Sequence, residues 1–235
     1  MNTVQVNGKW PLQVIGNKPL LVAPGWETER FEAIYDLISP GTVVYDIGAE
    51  DGDFPALYGT WGAEVVLIEP SPFAWPQIRL HWETNVDHRP AGMFVGFATD
   101  QDVTVAAKYD DRMRNGWPRC AFNPQRPEYG FWHVSDEFER KTTRHNRLDT
   151  LKEQFNWPTP DVLTIDVEGS EGLVLRGAAG ILEVDRPQVL VSVHETYMKI
   201  QYGETVEQLW EFMAGLGYTG SVIAVDHETH VWFKP

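Results

Sequence analysis

Residues 43–52 read Val-Val-Tyr-Asp-Ile-Gly-Ala-Glu-Asp-Gly, an apolar run carrying Asp46 that breaks into a turn with glycines at Gly48 and Gly52. Glycine has no Cβ and tolerates positive φ, so a strand that runs into such a turn lets the backbone come close to a ligand. Working outward, Glu64-Val-Val-Leu-Ile-Glu69-Pro70, Asp161-Val-Leu-Thr-Ile-Asp166 and Gln188 to Val193 are further apolar runs, and two of them stop at an acid. Short apolar runs separated by amphipathic stretches predict parallel strands with helices covering both faces of one sheet. Helices are expected at Glu27–Leu37 (closed by Ser39-Pro40-Gly41), from about Phe54, within Phe73–Asn85, at Glu171–Leu182 and at Val206–Leu216. A third strand is expected at Met93–Phe97. Val222–Val225 and Val231–Phe233 flank Asp226-His227-Glu228 as a closing hairpin. A purely parallel nicotinamide-binding sheet would more often end on another crossover helix.

The residues around the first turn choose between ligands. A dinucleotide site asks for G-x-G-x-x-G with open amides facing a pyrophosphate. Here the pattern is D-x-G-x-x-x-G, with carboxylates at Asp46, Glu50, Asp51 and Asp53. These acids would repel phosphate and suit a ligand that carries an ammonium and a sulfonium, which describes S-adenosylmethionine. Glu69 follows the turn by about twenty residues, the spacing at which a doubly wound sheet offers a carboxylate to two ribose hydroxyls. Glycine at a strand-to-helix junction also serves simple steric needs, and it is Glu69 that turns the pair toward a nucleoside.

Composition narrows the classes. The chain has 235 residues, enough for one substantial core, and its 19 basic and 34 acidic residues give a formal net charge of −15. Such a charge repels a polyphosphate, and the basic cluster Arg140, Lys141, Arg144, His145 and Arg147 is flanked by acids, so nucleic acid is not the expected partner. The single cysteine, Cys120, forms no internal disulfide and no zinc thiolate cluster. No apolar run has the length of a membrane span, and no charged-then-apolar leader opens the chain, so a cytoplasmic protein is expected. The ten tryptophans are read mainly as core and cover. Residues 100–147 are rich in Pro, Gly, Asn and aromatics, including Trp117, Phe122, Tyr129, Phe131 and Trp132; this insertion in a single domain spanning 1–235 is read as a substrate cap over the pocket.

Taken in order, Val-Val-Tyr-Asp-Ile-Gly-Ala, Ile-Glu-Pro-Ser-Pro, Arg147-Leu-Asp-Thr-Leu, Thr164-Ile-Asp-Val-Glu-Gly-Ser-Glu, Val174-Leu-Arg-Gly-Ala and Val193-His-Glu closely resemble the FkbM-type S-adenosylmethionine-dependent methyltransferases. The likeness runs from about Val43 to the C-terminus and is weak only in the insertion. It implies a Rossmann-like class I methyltransferase fold: a mostly parallel seven-stranded sheet, a C-terminal antiparallel hairpin and helices on both faces. It also implies transfer of a methyl group to a hydroxyl of a sugar, glycan or similar polyhydroxylated molecule. The family usually has asparagine after Gly-Ala, whereas this chain has Glu50.

Ligands of open α/β sheets sit beyond the carboxyl ends of the strands. Asp46, Gly48, Ala49, Glu50, Gly52, Glu69, Pro70, Ser71, Ala98 and Asp166 are therefore the expected cofactor-binding residues. His194 is the candidate general base, because histidine titrates near neutrality, with Asp166, Glu168 and Glu195 as its partners in catalysis. Glu171 is assigned to the helix macrodipole, and His81, His88, His227 and His230 to no site. No metal site is assigned, and a magnesium ion held by these carboxylates is the less favoured reading. Two alternatives stand beside the methyltransferase. One is a nicotinamide-dependent oxidoreductase, which lacks the third glycine; the other is a non-catalytic carbohydrate-binding domain that keeps the fold, motivated by the aromatic insertion.

Overall fold

The structure is a computed structural model that describes residues 1–71, 74–103, 113–114, 117–118 and 144–235. The expected cap therefore lies mostly outside the described residues.

A hairpin of β1 (Asn2–Val6) and β2 (Trp10–Val14) leads into α1 (Thr28–Leu37). Then come β3 (Val43–Ile47), α2 (Asp53–Thr60), β4 (Glu64–Ile68), α3 (Trp75–Asn85) and β5 (Gly92–Phe94). Three short pieces, β6 (Phe97–Ala98), β7 (Met113–Arg114) and β8 (Trp117–Pro118), precede β9 (His145–Asn146) and α4 (Leu148–Phe155). The chain closes with β10 (Val162–Ile165), α5 (Glu171–Gly177), α6 (Ala179–Val184), β11 (Gln188–Val193), α7 (Glu195–Tyr197), α8 (Val206–Gly215), β12 (Thr219–Val225) and β13 (Thr229–Lys234).

The seven-stranded sheet has the order β12-β13-β11-β10-β3-β4-β5, and only β13 runs against its neighbours β11 and β12. From β3 the chain winds outward to β4 and β5, then returns to start the other half at β10. The switch point, where a doubly wound sheet binds its ligand, thus falls between β3 and β10. Period-two alternation fills both faces. Tyr45 and Ile47 of β3 and Val66 and Ile68 of β4 join one core cluster, while Val44, Val65 and Leu67 join the other. Burying each such side chain stabilises the fold by about 1.5–3 kcal/mol, which is why these strands read as unbroken apolar runs. A third cluster packs the N-terminal hairpin onto α1 and α2 through Trp10, Leu12, Phe31 and Leu57.

Two expectations are revised. The helix expected over Glu171–Leu182 is two helices, because a Cβ on Gly177 would lie 1.9 Å from the Thr99 carbonyl oxygen. That close approach ends α5, and the Asp149 carboxylate accepts from the amides of Gly180 (3.0 Å) and Ile181 (2.9 Å) to start α6. The strand expected over Met93–Phe97 divides into β5, which pairs with β4, and β6, which pairs with β9. The N-terminal hairpin and α4 have no counterpart in the sequence reading, although Asn7 (φ 50°) and Gly8 (φ 66°) form the kind of Asn-Gly turn that joins two strands.

Candidate functional site

A cavity of about 770 Å³ opens beyond the carboxyl ends of β3, β4 and β10. One wall is the glycine turn. Gly48 has φ +94°, and a Cβ there would lie 1.8 Å from the Asp166 carbonyl oxygen, so the β3 turn and the β10 turn approach as only glycine allows. The Gly48 and Ala49 amides both donate to the Ile68 carbonyl. Glu69 is buried, and its carboxylate accepts from the amides of Glu50 (3.1 Å) and Ser71 (2.6 Å), which fixes its orientation at the cavity edge. Glu50 sits in the left-handed region (φ 44°). Burial, reinforced by the charges of Asp51 and Asp53, pushes its carboxyl up to about 7. Lys18, 2.5 Å from Asp51 and 3.0 Å from Asp53, brings a cation to this rim.

A second wall, which adjoins the first where Gly48 meets Asp166, is assembled from the ends of β10 and β11, the loop after β10 and the hairpin turn between β12 and β13. Because β13 runs antiparallel to β11, pairing Thr229 with Val193, the hairpin turn comes to the carboxyl end of β11 beside His194. The His194 imidazole is almost enclosed. Its Nδ1 meets the fully buried Glu171 carboxylate at 2.7 Å, and its Nε2 lies 2.9 Å from Glu228, 3.7 Å from Glu168 and 3.8 Å from Asp166. Burial alone would lower its pKa. The bond to Glu171 and the charges of Glu228 and Asp166 outweigh that and push it up to about 11. Asp166 is held from the other side by Arg30 (3.0 Å), a buried guanidinium that also pairs with Glu27 at 2.5 Å.

Of the expected cofactor residues, Gly48, Ala49, Glu50, Glu69, Pro70, Ala98 and Asp166 line the cavity. Asp46 lies one layer deeper: it accepts from the Thr164 hydroxyl at 2.6 Å, and its other oxygen is buried with no hydrogen-bond partner among the described residues. Burial, opposed by that bond and by Arg30, leaves its pKa at about 6. Gly52 packs on α3, where a Cβ would come within 2.5 Å of the Ile78 Cα. Ser71 is off the wall and serves through its amide. Among the expected catalytic residues, Asp166 and Glu168 line the cavity and His194 stands behind them, whereas Glu195 is exposed and off the wall. The carboxylates around His194 thus favour its protonated form.

Several residues of this wall escape the sequence reading. Glu171 does more than favour a helix dipole, since it orients His194. Glu228 and His227 belong to the wall, and only the antiparallel insertion of β13 beside β11 brings them there. Arg30 here and Lys18 at the rim of the glycine wall come from the N-terminal segment, whose spacing to the strand ends carries no motif.

The sequence profile described as the Methyltransferase FkbM domain matches residues 46–219, and the chain belongs to that family. No curated protein sequence matches it. Among solved structures it is similar to the methyltransferase FkbM from Methylobacillus flagellatus KT, with a TM-score of 0.50 and 16% identity over 82% of this chain. The chain spans 43% of that protein's length. It is also similar to the precorrin-6y C5,15-methyltransferase from Geobacter metallireducens GS-15, with a TM-score of 0.50 and 12% identity over 94% of this chain and 92% of that one. The fold is thus a Rossmann-like methyltransferase fold, and among the described residues no helix is long and apolar enough to cross a membrane.

Proposed function

We propose that this protein is an S-adenosylmethionine-dependent O-methyltransferase that acts on a hydroxyl of a sugar, glycan or similar polyhydroxylated small molecule, with residues 1–235 as one catalytic domain. The observation that carries the reading is the acid-rich cavity at the switch point, with Gly48 pressed against the Asp166 carbonyl and Glu69 held by two amides. When bound, the cofactor supplies an electrophilic methyl group on a sulfonium. The residues present fit it. Glu69 would hold the ribose diol, Glu50 and Asp166 would offer negative charge to an ammonium and a sulfonium, and Lys18, paired with Asp51 and Asp53, would stand beside a carboxylate at the same rim. The same acids disfavour the pyrophosphate of a nicotinamide cofactor.

Positioning is the larger part of the rate enhancement for an in-line methyl transfer, worth up to about 7–11 kcal/mol. Asp166 is clamped by Arg30, and Glu228 is clamped beside His194, so both carboxylates present fixed oxygens to an incoming hydroxyl. In this reading Asp166, Glu168 or Glu228 takes the acceptor proton, which adds roughly 10²–10⁴-fold, and His194 positions them. Glu195 has no part in it.

The test is calorimetry with S-adenosylhomocysteine on the parent and on Glu69→Ala. Binding by the parent, weakened by about 1–3 kcal/mol in the variant through loss of charge-assisted hydrogen bonds, is the expected result. No binding by the parent at millimolar ligand removes the reading, and an unchanged affinity in Glu69→Ala removes the ribose role. Methyl transfer to a panel of sugars then tests the acceptor class.

A further inference from the structure

The histidine wall holds more than a salt bridge. Asp166 at the end of β10, His194 at the end of β11 and Glu228 in the β12–β13 turn each offer one ligand atom, and these atoms all lie within 4.8 Å of one another. Nε2 of His194 is 2.9 Å from Glu228 Oε1 and 3.8 Å from Asp166 Oδ1. Ligand atoms about 2.1–2.2 Å from a six-coordinate ion stand roughly 3 Å apart along the edges of its octahedron. The present spacing needs only small side-chain adjustments to reach that.

The hydrogen bonding says what the three atoms are for. The side chain of His194 is 6% exposed and sits among carboxylates, and its Nε2, though 2.9 Å from Glu228, is buried without a well-formed hydrogen bond among the described residues. One oxygen of Glu228 is likewise buried and unpartnered there. Nδ1, by contrast, is spent on Glu171, a residue with no exposed surface. An imidazole whose Nδ1–H is donated to a buried carboxylate turns Nε2 outward, the arrangement that orients histidine ligands of metal ions, and an ion bound there displaces the proton that Nε2 holds in the metal-free site. Glu27, His227 and His230 also cluster, but both ring nitrogens of His230 are taken, by Ser192 and Asp226, and Glu27 is held by Arg30.

We propose that Asp166, His194 and Glu228 form a binding site for a divalent first-row metal ion, with Glu171 as the outer partner that orients the histidine. One imidazole and two carboxylates suit Mn²⁺ or a similar ion better than Ca²⁺, which prefers oxygen alone, and better than thiolate-bound Zn²⁺. Asp166 and Glu228 line the cavity, so the open positions of the ion face it. Binding of the ion stands apart from the methyltransferase reading. Its use rests on that reading: the ion takes the oxygen of the acceptor hydroxyl and makes it more acidic, the proton leaves to a neighbouring carboxylate such as Glu168, and the oxygen forms its bond to the methyl carbon as the carbon–sulfur bond breaks, with the electron pair staying on sulfur.

The experiment titrates Mn²⁺ alone into chelator-stripped protein, with no cofactor, and follows bound ion by electron paramagnetic resonance and calorimetry. One Mn²⁺ per chain is expected, with hyperfine coupling to a single nitrogen. In Glu228→Gln the affinity should fall at least about 100-fold, and in Glu171→Gln about 10–100-fold. In His194→Gln the nitrogen coupling should vanish. Circular dichroism confirms that each variant is folded, and Glu228→Gln carries the test if His194→Gln is not. Absence of saturable binding, binding without nitrogen coupling, or equal affinity in Glu228→Gln overturns the site. Mn²⁺ binding without S-adenosylhomocysteine binding would keep the site and end the methyltransferase reading; the opposite pair of results would do the reverse.

Discussion

The two walls of the cavity are built in different ways. The glycine wall comes from one continuous stretch, β3 to the residues after β4, and backbone amides hold its functional carboxylate: Glu69 is fixed by the Glu50 and Ser71 N–H groups. The histidine wall is gathered from α1, the loop after β10, the end of β11 and the C-terminal hairpin, and side-chain charges hold it together: Arg30 on Asp166, Glu171 on His194, His194 beside Glu228. A wall held by backbone tolerates changes of charge but not of shape. A wall held by buried charges tolerates changes of shape better than the loss of a partner, since one uncompensated buried charge is expensive.

The largest effect should therefore come from shape at the glycine wall. Gly48→Val places a β-branched side chain at φ +94°, with its Cβ 1.8 Å from the Asp166 carbonyl oxygen. Backbone strain and overpacking together should cost roughly 3–5 kcal/mol. Because Asp166 must move, the variant should lose cofactor binding and also disturb the histidine wall. Thermal denaturation and S-adenosylhomocysteine calorimetry check both, and an unchanged melting temperature would mean that the two turns do not touch.

Next in size is charge at the histidine wall. Glu171→Gln keeps an acceptor for His194 Nδ1 and for the Gly169 amide but removes the charge. Its expected cost is about 2–3 kcal/mol at pH 7 in metal-free protein. The pKa of His194 is raised from its ordinary 6.5 to about 11, so the pairing stabilises fully below pH 6.5 and is lost as pH rises through 11. The gap between parent and variant, measured by urea denaturation, should accordingly narrow toward alkaline pH. Nitrogen-resolved NMR should show an imidazolium at pH 8 in the parent and a lower pKa in the variant. A neutral imidazole in the parent at pH 8 would return His194 to the role of general base.

The same contrast explains how much could be read beforehand. The parallel sheet, most of its strands and helices and the glycine turn were legible, because buried strands read as apolar runs and Glu69 lies a fixed distance along the chain from Gly48. The histidine wall was only half legible. Asp166 and His194 stand at strand ends and so could be placed, but Glu171 looked like an ordinary acid in a first helical turn. Glu228 looked like an ordinary turn residue, since its position depends on which strand β13 pairs with, and alternation along the chain does not encode that choice. The N-terminal hairpin did carry a signal in Asn7-Gly8. Gly177 carried none, because its need to be small comes from Thr99, far away in sequence.

The smallest effect separates charge from shape within the glycine wall itself. Glu50 has its pKa raised from 4.5 to about 7, by burial first and then by Asp51 and Asp53. For an acid shifted upward, ionisation costs the folded state more than the unfolded one, so this residue lowers stability as pH rises from 4.5 through 7 and has no effect below that range. Glu50→Gln should therefore match the parent at pH 4 and exceed it at pH 8. More than a third of the residue is exposed, water screens the charge, and the gain should stay below about 1 kcal/mol. Binding should move the other way. If the ionised carboxylate meets the cofactor's ammonium, the parent's affinity for S-adenosylhomocysteine should rise between pH 6 and pH 8 while the variant's stays flat and weaker, because Lys18 and the backbone contacts are the same in both. Equal affinity at pH 8 would leave Glu50 a destabilising acid with no ligand, and the glycine wall would then recognise the cofactor by shape and Glu69 alone.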